Sequence, residues 1–317
     1  MNTIIKKEIK DIIHNKLFIL TVSLLFILSI VAIVLGSIQI RATMVEYNDS
    51  ITFLKSLGKT VMPDKPNINA LAISKSFVNY LGMIGALLAI ILGNHTIVKE
   101  RDQGTLKLIL SRGVFRDTLL NGKILGNTIV FSGITSTLGV ITYITIVIVG
   151  QVSLTMDDSV RLILFFTMSL LYMLFFFILA LALSVLSNNG NKALLIAVII
   201  WIVLAFVLPQ IGDTMDLDNQ LPGGFFAQMG VTKTQEDSIL AKFSSYEFIR
   251  DGIEEMSPMK HYERMSYALL NIKPGFDQQS ALQVVGVKWI NLVGLLTPTI
   301  LLLLLTYVIF LKREDIY

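Results

Sequence analysis

The sequence predicts an all-α membrane protein with six transmembrane helices, and three observations lead there. Of its 317 residues 54% are hydrophobic and only 15% charged, where a soluble domain carries about 25% charged side chains. Six apolar runs, at 17–40, 77–98, 124–149, 162–186, 193–211 and 289–311, contain no Asp, Glu, Lys or Arg. A helix needs about 20 apolar residues to cross about 30 Å of hydrocarbon, whereas a membrane β-strand needs about 10. Backbone groups in lipid must pair within their own segment, so the runs are helices.

The chain opens MNTIIKKEIKDIIHNK. No small-residue cleavage site follows a short apolar core, so no removable signal peptide is expected. Ile5, Ile9, Ile12 and Ile13 recur at helical spacing among Lys6, Lys7, Glu8, Lys10 and Asp11. This predicts an N-terminal interfacial helix leading into the first span, in preference to a plain basic flank. Residues 41–72 begin helically, so the first span is expected to project past the membrane.

Thr128, Ser132, Thr135, Ser136 and Thr137 on the third span, with Asn188 and Asn189 after the fourth, are polar candidates for a translocation path. Hydrogen bonding between helices, at about 0.6 kcal/mol each, is the preferred reading. Phe175–Phe177 reads as packed or lipid-facing. Residues 212–288 form the one sizeable piece outside the membrane and are more acidic than basic. Asp213–Gly224 is rich in Asp, Asn, Gly and Pro and reads as irregular. Ser238–Gly252 and Pro258–Leu270 carry helical apolar spacing, which predicts two or three short helices capping the outer face. Pro274–Gly275 marks a break before the last span. The expected organisation is a transmembrane domain of 1–211 and 289–317 with a large helical extracellular loop at 212–288.

Orientation follows from Lys and Arg. Placing both termini inside collects Lys6, Lys7, Lys10, Lys16, six basic residues in 99–123, Lys192, Lys312 and Arg313 on that side. The two short loops opposite hold Arg41, Lys55, Lys59, Lys65 and Arg161. The N- and C-termini are therefore expected in the cytoplasm.

Several chemistries find no support. There is no cysteine, which excludes disulfides, thiolate metal sites and cysteine nucleophiles. No GxxxxGK[ST] phosphate loop is present. Ion-coupled carriers place ionisable residues at mid-membrane depth, and the spans hold only His95, which reads as a headgroup-level residue beside Asn94. His14, His95 and His261 lie apart, with no HExxH or GxSxG pattern. His261, with Glu254 and Glu263 nearby, reads as part of a polar outer loop. No catalytic residue, cofactor, metal or nucleic-acid partner is expected.

The dense charged block KERDQGTLKLILSRGVFRDTLLNGK, residues 99–123, sits between the second and third apolar runs. Glu100, Arg101 and Asp102 precede Gly104–Thr105. Leu106, Leu108, Ile109 and Leu110 then supply an apolar surface, and Arg112 and Arg116 close it. Such a segment can lie along the inner leaflet with Leu and Ile toward lipid and charge toward the cytoplasm. A plain topology-setting loop and a partner-binding element are both compatible with these residues alone.

The run ERDQGTLKLILSRGVFRDTLLNGKILG resembles the cytoplasmic loop of ABC-2 type permeases, the membrane subunits of ATP-binding-cassette transporters. The matching residues are Glu100, Gly104, Thr105, Leu106–Leu110, Arg116 and Lys123. Gly113 stands where the family often has Pro. IIKKEIKDIIHNKLF is similar to the family's opening interfacial helix, FLKREDIY to its basic tail and SPMKHYERM to the outer loop of six-span members. The resemblance implies a permease that pairs with a second copy or paralogue and with two cytoplasmic ATPase subunits in the plasma membrane. ATP and Mg would be bound by the ATPases and not by this chain. The loop between spans 2 and 3 would be a coupling helix touching the ATPase through Glu100, Gly104, Thr105, Leu106, Arg112, Arg116 and Lys123. Substrate export would follow. The alternatives are an ion-coupled secondary carrier and a membrane scaffold or sensor whose loop 212–288 binds an extracellular partner.

Overall fold

The structure, a computed structural model, describes residues 1–57, 59, 69–111, 114–216, 218, 225–272 and 275–312. Among them all regular structure is helical: α1 (Asn2–Ile13), α2 (Lys16–Ser56), α3 (Ala70–Asp102), α4 (Thr105–Ser111), α5 (Arg116–Ile148), α6 (Met156–Leu186), α7 (Gly190–Met215), α8 (Phe225–Gln228), α9 (Lys233–Lys242), α10 (Ser244–Glu255), α11 (Pro258–Leu269), α12 (Ala281–Val287) and α13 (Trp289–Lys312). Helices α2, α3, α5, α6, α7 and α13 are long and apolar enough to cross a membrane.

The first span continues to Ser56, and its 41 residues reach about 60 Å at 1.5 Å per residue. Its start is set by Asn15, whose side chain accepts from the amides of Leu17 and Phe18 as an N-cap. The helix that carries the third apolar run starts ahead of that run, at Arg116, because Leu119 and Leu120 are buried and extend its apolar face by two turns. Lys123 therefore lies inside the helix.

Helix α6 is the axis of the bundle. Helices α3, α5, α7, α11 and α13 all pack on it, and Phe175, Phe176 and Phe177 are buried. Tyr172 of α6 stacks on Tyr262 of α11 with ring centroids 4.7 Å apart, and Ser169 Oγ lies 3.0 Å from the Tyr262 hydroxyl. The segment that carries α11 is thereby plugged into the helix bundle. Two π-helical turns, at Leu81–Gly85 and Val203–Val207, widen the second and fifth spans. Each presents a carbonyl to another helix: Tyr172 OH donates to Gly82 O at 3.0 Å, and Ser257 Oγ to Leu204 O at 2.6 Å.

Three expectations for the segment between the last two spans need correction or qualification. The stretch Ser238–Gly252 breaks at Phe243 into α9 and α10. Asp213 and Thr214 continue α7, which is helical to Met215, while 217 and 219–224 lie outside the described residues. His261 is not a polar loop residue: it is 4% exposed, with Nδ1 3.2 Å from Asn291 Oδ1 and Nε2 2.9 Å from Glu255 O. Its position on α11 faces Gly294 of the last span, where the ring occupies the space a side chain would need. Pro274 lies outside the described residues; Gly275 has φ +102°.

The segment is also held to the bundle by Arg161, near the start of α6 and 1% exposed. Its guanidinium donates to Asn271 Oδ1 at 2.7 Å, Leu269 O at 3.3 Å, Phe276 O at 3.1 Å and the Gln279 carbonyl. Its Nε pairs with Asp157 Oδ2 at 2.7 Å. One planar, permanently charged fork thus satisfies the carbonyls of Leu269, Phe276 and Gln279 together.

Candidate functional site

The site lies where α1, the end of α3 and the start of α5 meet. Helix α1 buries Glu8 and Ile12. It lies close on α5 because Gly122 and Gly126, one turn apart, present no side chain there. A Cβ on Gly122 would lie 2.7 Å from Ile4 Cγ2, and one on Gly126 would lie 3.0 Å from Glu8 Cβ. Small residues at this spacing let two helices approach backbone to backbone.

That approach carries Glu8 to Lys123. Lys123 Nζ lies 3.2 Å from Glu8 Oε2 and 3.2 Å from Glu100 Oε2, and it donates to Thr96 O at 2.7 Å. Asn127 Nδ2 donates to Glu8 Oε1 at 3.1 Å. Lys7 Nζ closes the group from the rim at 2.7 Å from Glu100 Oε1. Two carboxylates and two ammonium groups give a neutral cluster, and Lys123, Glu100 and Glu8 are only 2%, 5% and 6% exposed. Desolvation opposes the charge on Lys7, but the hydrogen bond and charge of Glu100 outweigh it and hold the ammonium above its ordinary pKa. Further out, Lys99 Nζ lies 3.2 Å from Asp11 Oδ1. The net worth of such a buried cluster is small, yet removing one member leaves an uncompensated charge. It therefore acts as a lock on geometry.

The chain leaves α3 through Gly104, whose φ of +66° is the left-handed turn that ends helices and favours glycine. Thr105 Oγ1 donates back to Glu100 O at 3.2 Å. The two arginines flanking this turn and α4 each reach the end of another span. Arg101 Nη1 donates to Ser184 O at 3.2 Å and to Ser187 O at 2.5 Å, closing the C-terminus of α6. Arg116 Nη1 donates to Leu311 O at 3.0 Å, closing α13. Cations at these positions satisfy end carbonyls and complement the helix dipole.

The seven residues singled out from the sequence thus fall into different places. Glu100 and Lys123 are inside the ion cluster, and Leu106 is 1% exposed in the hydrophobic core. Their burial gives them positions from which they shape the segment and present little surface of their own. Leu106 and Ile109 pack against the protein core and not toward lipid as expected. Gly104 is exposed, and Thr105 and Arg116 are half-buried. Arg112 lies outside the described residues.

The surface the block does present includes Asp102, Gln103 and Phe115, the last 77% exposed. Beside Asp102, a polar recess of about 260 Å³ is lined by Asn188, Asn189, Gly190 and Asn191. Sequence reasoning missed Glu8, Arg101 and Phe115 as site residues. Glu8 was findable: it falls on the stripe Ile5, Glu8, Ile9, Ile12, where a charge on the apolar face requires a partner.

Among the described residues no group of three or more metal-ligating side chains could hold an ion. No curated protein matches the chain. The family model described as ABC-2 family transporter protein matches residues 2–315, nearly the whole length. With its six spans the chain is a multi-pass membrane protein, and it belongs to the ABC-2 transporter family.

Proposed function

We propose that the chain is the permease subunit of an ATP-driven exporter in the plasma membrane. It pairs with a second permease and with two cytoplasmic ATPase subunits, which bind ATP and Mg. Family membership implies association with an ABC ATPase, and the number and arrangement of subunits are part of the proposal. The supporting observation is the way residues 99–116 are tied into the molecule. Arg101 holds α6, Arg116 holds α13, and Glu100 holds α1 and α5. A push on this segment therefore reaches four helices at once, and it needs no ion site inside the bundle. ATPase closure can bias the spans only through contacts that differ between its two states, and the exposed patch at Asp102, Gln103 and Phe115 supplies a surface for them.

On this reading the termini face the cytoplasm, and the segment 225–272 faces outward. The test is to co-express the full chain with the ABC ATPases of its source genome, purify the complex, and compare wild type with Phe115→Glu and Asp102→Arg. Both exchanges are at exposed positions and are expected to leave the chain folded. ATPase binding should weaken at least tenfold, because a buried aromatic anchor at an interface contributes about 2 kcal/mol or more. Undiminished binding and stimulation in both variants would refute the contact. An ion-coupled carrier would instead work without any ATPase and stop with a protonophore, and a scaffold would show no transport with the ATPase present.

A further inference from the structure

Helices α5 and α6 enclose a groove of about 640 Å³, within the range of small-molecule sites. Ser132, Ser136 and Tyr143 line it from α5, and Leu162, Phe166 and Leu170 from α6. No charged side chain is among its lining residues. Val140 and Ile163, on its margin, are 58% and 66% exposed, so the groove opens sideways where lipid surrounds the bundle. From Ser132 to Tyr143 it runs about 16 Å along α5.

The hydroxyls of this helix divide into two kinds. Thr128, Thr135, Thr137 and Thr142 each donate to the carbonyl four residues back, and Thr167 does the same on α6. They are satisfied by their own helix and, among the described residues, have no partner across the bundle, contrary to the expectation for Thr128, Thr135 and Thr137. The hydroxyls of Ser132 and Ser136, one turn apart on the groove wall, have no hydrogen-bond partner among the described residues, and neither has that of Tyr143. An unpaired hydroxyl facing hydrocarbon is costly, and a serine can relieve the cost by bonding its own backbone. These two do not.

We propose that the groove binds the uncharged, oxygen-bearing head group of a bilayer lipid. Hydroxyl and ester oxygens of a glycerol-type head meet Ser132 and Ser136, and the acyl chain stays in the bilayer through the lateral opening. The absence of any cation or anion on the walls selects a neutral head, since an ionised one would lie there without a partner. The concave shape, floored where Gly139 backs onto the Phe166 ring, suits a head group better than a second helix. Binding needs neither nucleotide nor ATPase, so its failure would leave the proposed coupling untouched.

The experiment uses the purified full chain in phosphatidylcholine nanodiscs and a monoacylglycerol with a photoactivatable acyl chain. Labelling should saturate, map to residues 132–170, and be displaced by unlabelled monoacylglycerol but not by hexadecane or phosphatidate. Ser132→Ala with Ser136→Ala should weaken it on the order of tenfold, the worth of two hydrogen bonds. Ser136→Trp should abolish it by filling the groove. The alanine variant, whose thermal unfolding is expected to match wild type, carries the test alone if the tryptophan variant does not fold. Non-saturable labelling, equal displacement by hexadecane or phosphatidate, or unchanged labelling in the alanine variant would overturn the proposal. So would disulfide-linked dimers of Ser136→Cys: with no native cysteine, they would place a second copy's helix in the groove.

Discussion

Lys123→Met is expected to destabilise the protein by about 3 kcal/mol, and the structure sets that size. The substitution keeps the length of the side chain and removes its charge. Among the described residues Glu8 then retains the Asn127 amide, at 3.1 Å, as its one hydrogen-bond donor, while Glu100 retains Lys7 at 2.7 Å. Breaking a buried pair from one side costs about 3–5 kcal/mol, and the surviving Lys7 contact places this case at the lower end. Thermal unfolding followed by size-exclusion chromatography should show a fall on the order of 5–10 °C. The companion change Glu8→Gln removes the charge left behind. Lys123→Met with Glu8→Gln should therefore be more stable than Lys123→Met alone, with a coupling of at least about 1 kcal/mol. A single variant within about 0.5 kcal/mol of wild type, or strict additivity in the double, would refute the view of these residues as one electrostatic unit.

Arg161→Met should cost about 3–5 kcal/mol by stranding the carbonyls of Leu269, Phe276 and Gln279, and limited proteolysis should then cut within 268–280 before the rest of the chain. Gly104→Val should cost about 1–2 kcal/mol, because φ is +66° there and a β-branched residue resists the left-handed region. No neighbour lies near its Cβ position, so Gly104→Asn, which tolerates that φ, should recover most of the loss in a melting assay. Lys260 pairs with Asp213 and Glu254; burial lowers its pKa, but these carboxylates outweigh that and raise it. A raised lysine contributes its stability fully below the unfolded value of about 10.4 and loses it as pH climbs through the higher folded value. Unfolding temperature should therefore hold from pH 7 to about 10 and fall beyond, with a shallower alkaline fall in Lys260→Met than in wild type.

The spans were legible because their signal is local. About 20 apolar residues without a charge have one stable solution in lipid, and each of the six runs comes up to that length, the fifth with least margin. The short helices between the last two spans were legible for the same reason, through the spacing of Tyr262, Met265 and Leu269. The block at 99–123 stood out by charge density alone. Its inner arrangement did not, because nothing in the order of residues says which arginine will reach which carbonyl. Arg101 meets Ser187, and Arg116 meets Leu311, each across a long sequence separation that only packing closes.

What the amino-acid order determined by itself is the number of crossings, the helical class and the position of one charged segment between two of them. Those follow from hydrophobic length and from backbone pairing, which act within a segment. Only the tertiary structure decided that Lys123 and Glu100 face inward, that His261 is buried against the last span, and that Ser132 and Ser136 line an open groove. Burial depends on which helix faces come together, here on Gly122 and Gly126 admitting α1, and a charge in sequence becomes a lock or a contact surface only once its neighbours have closed around it.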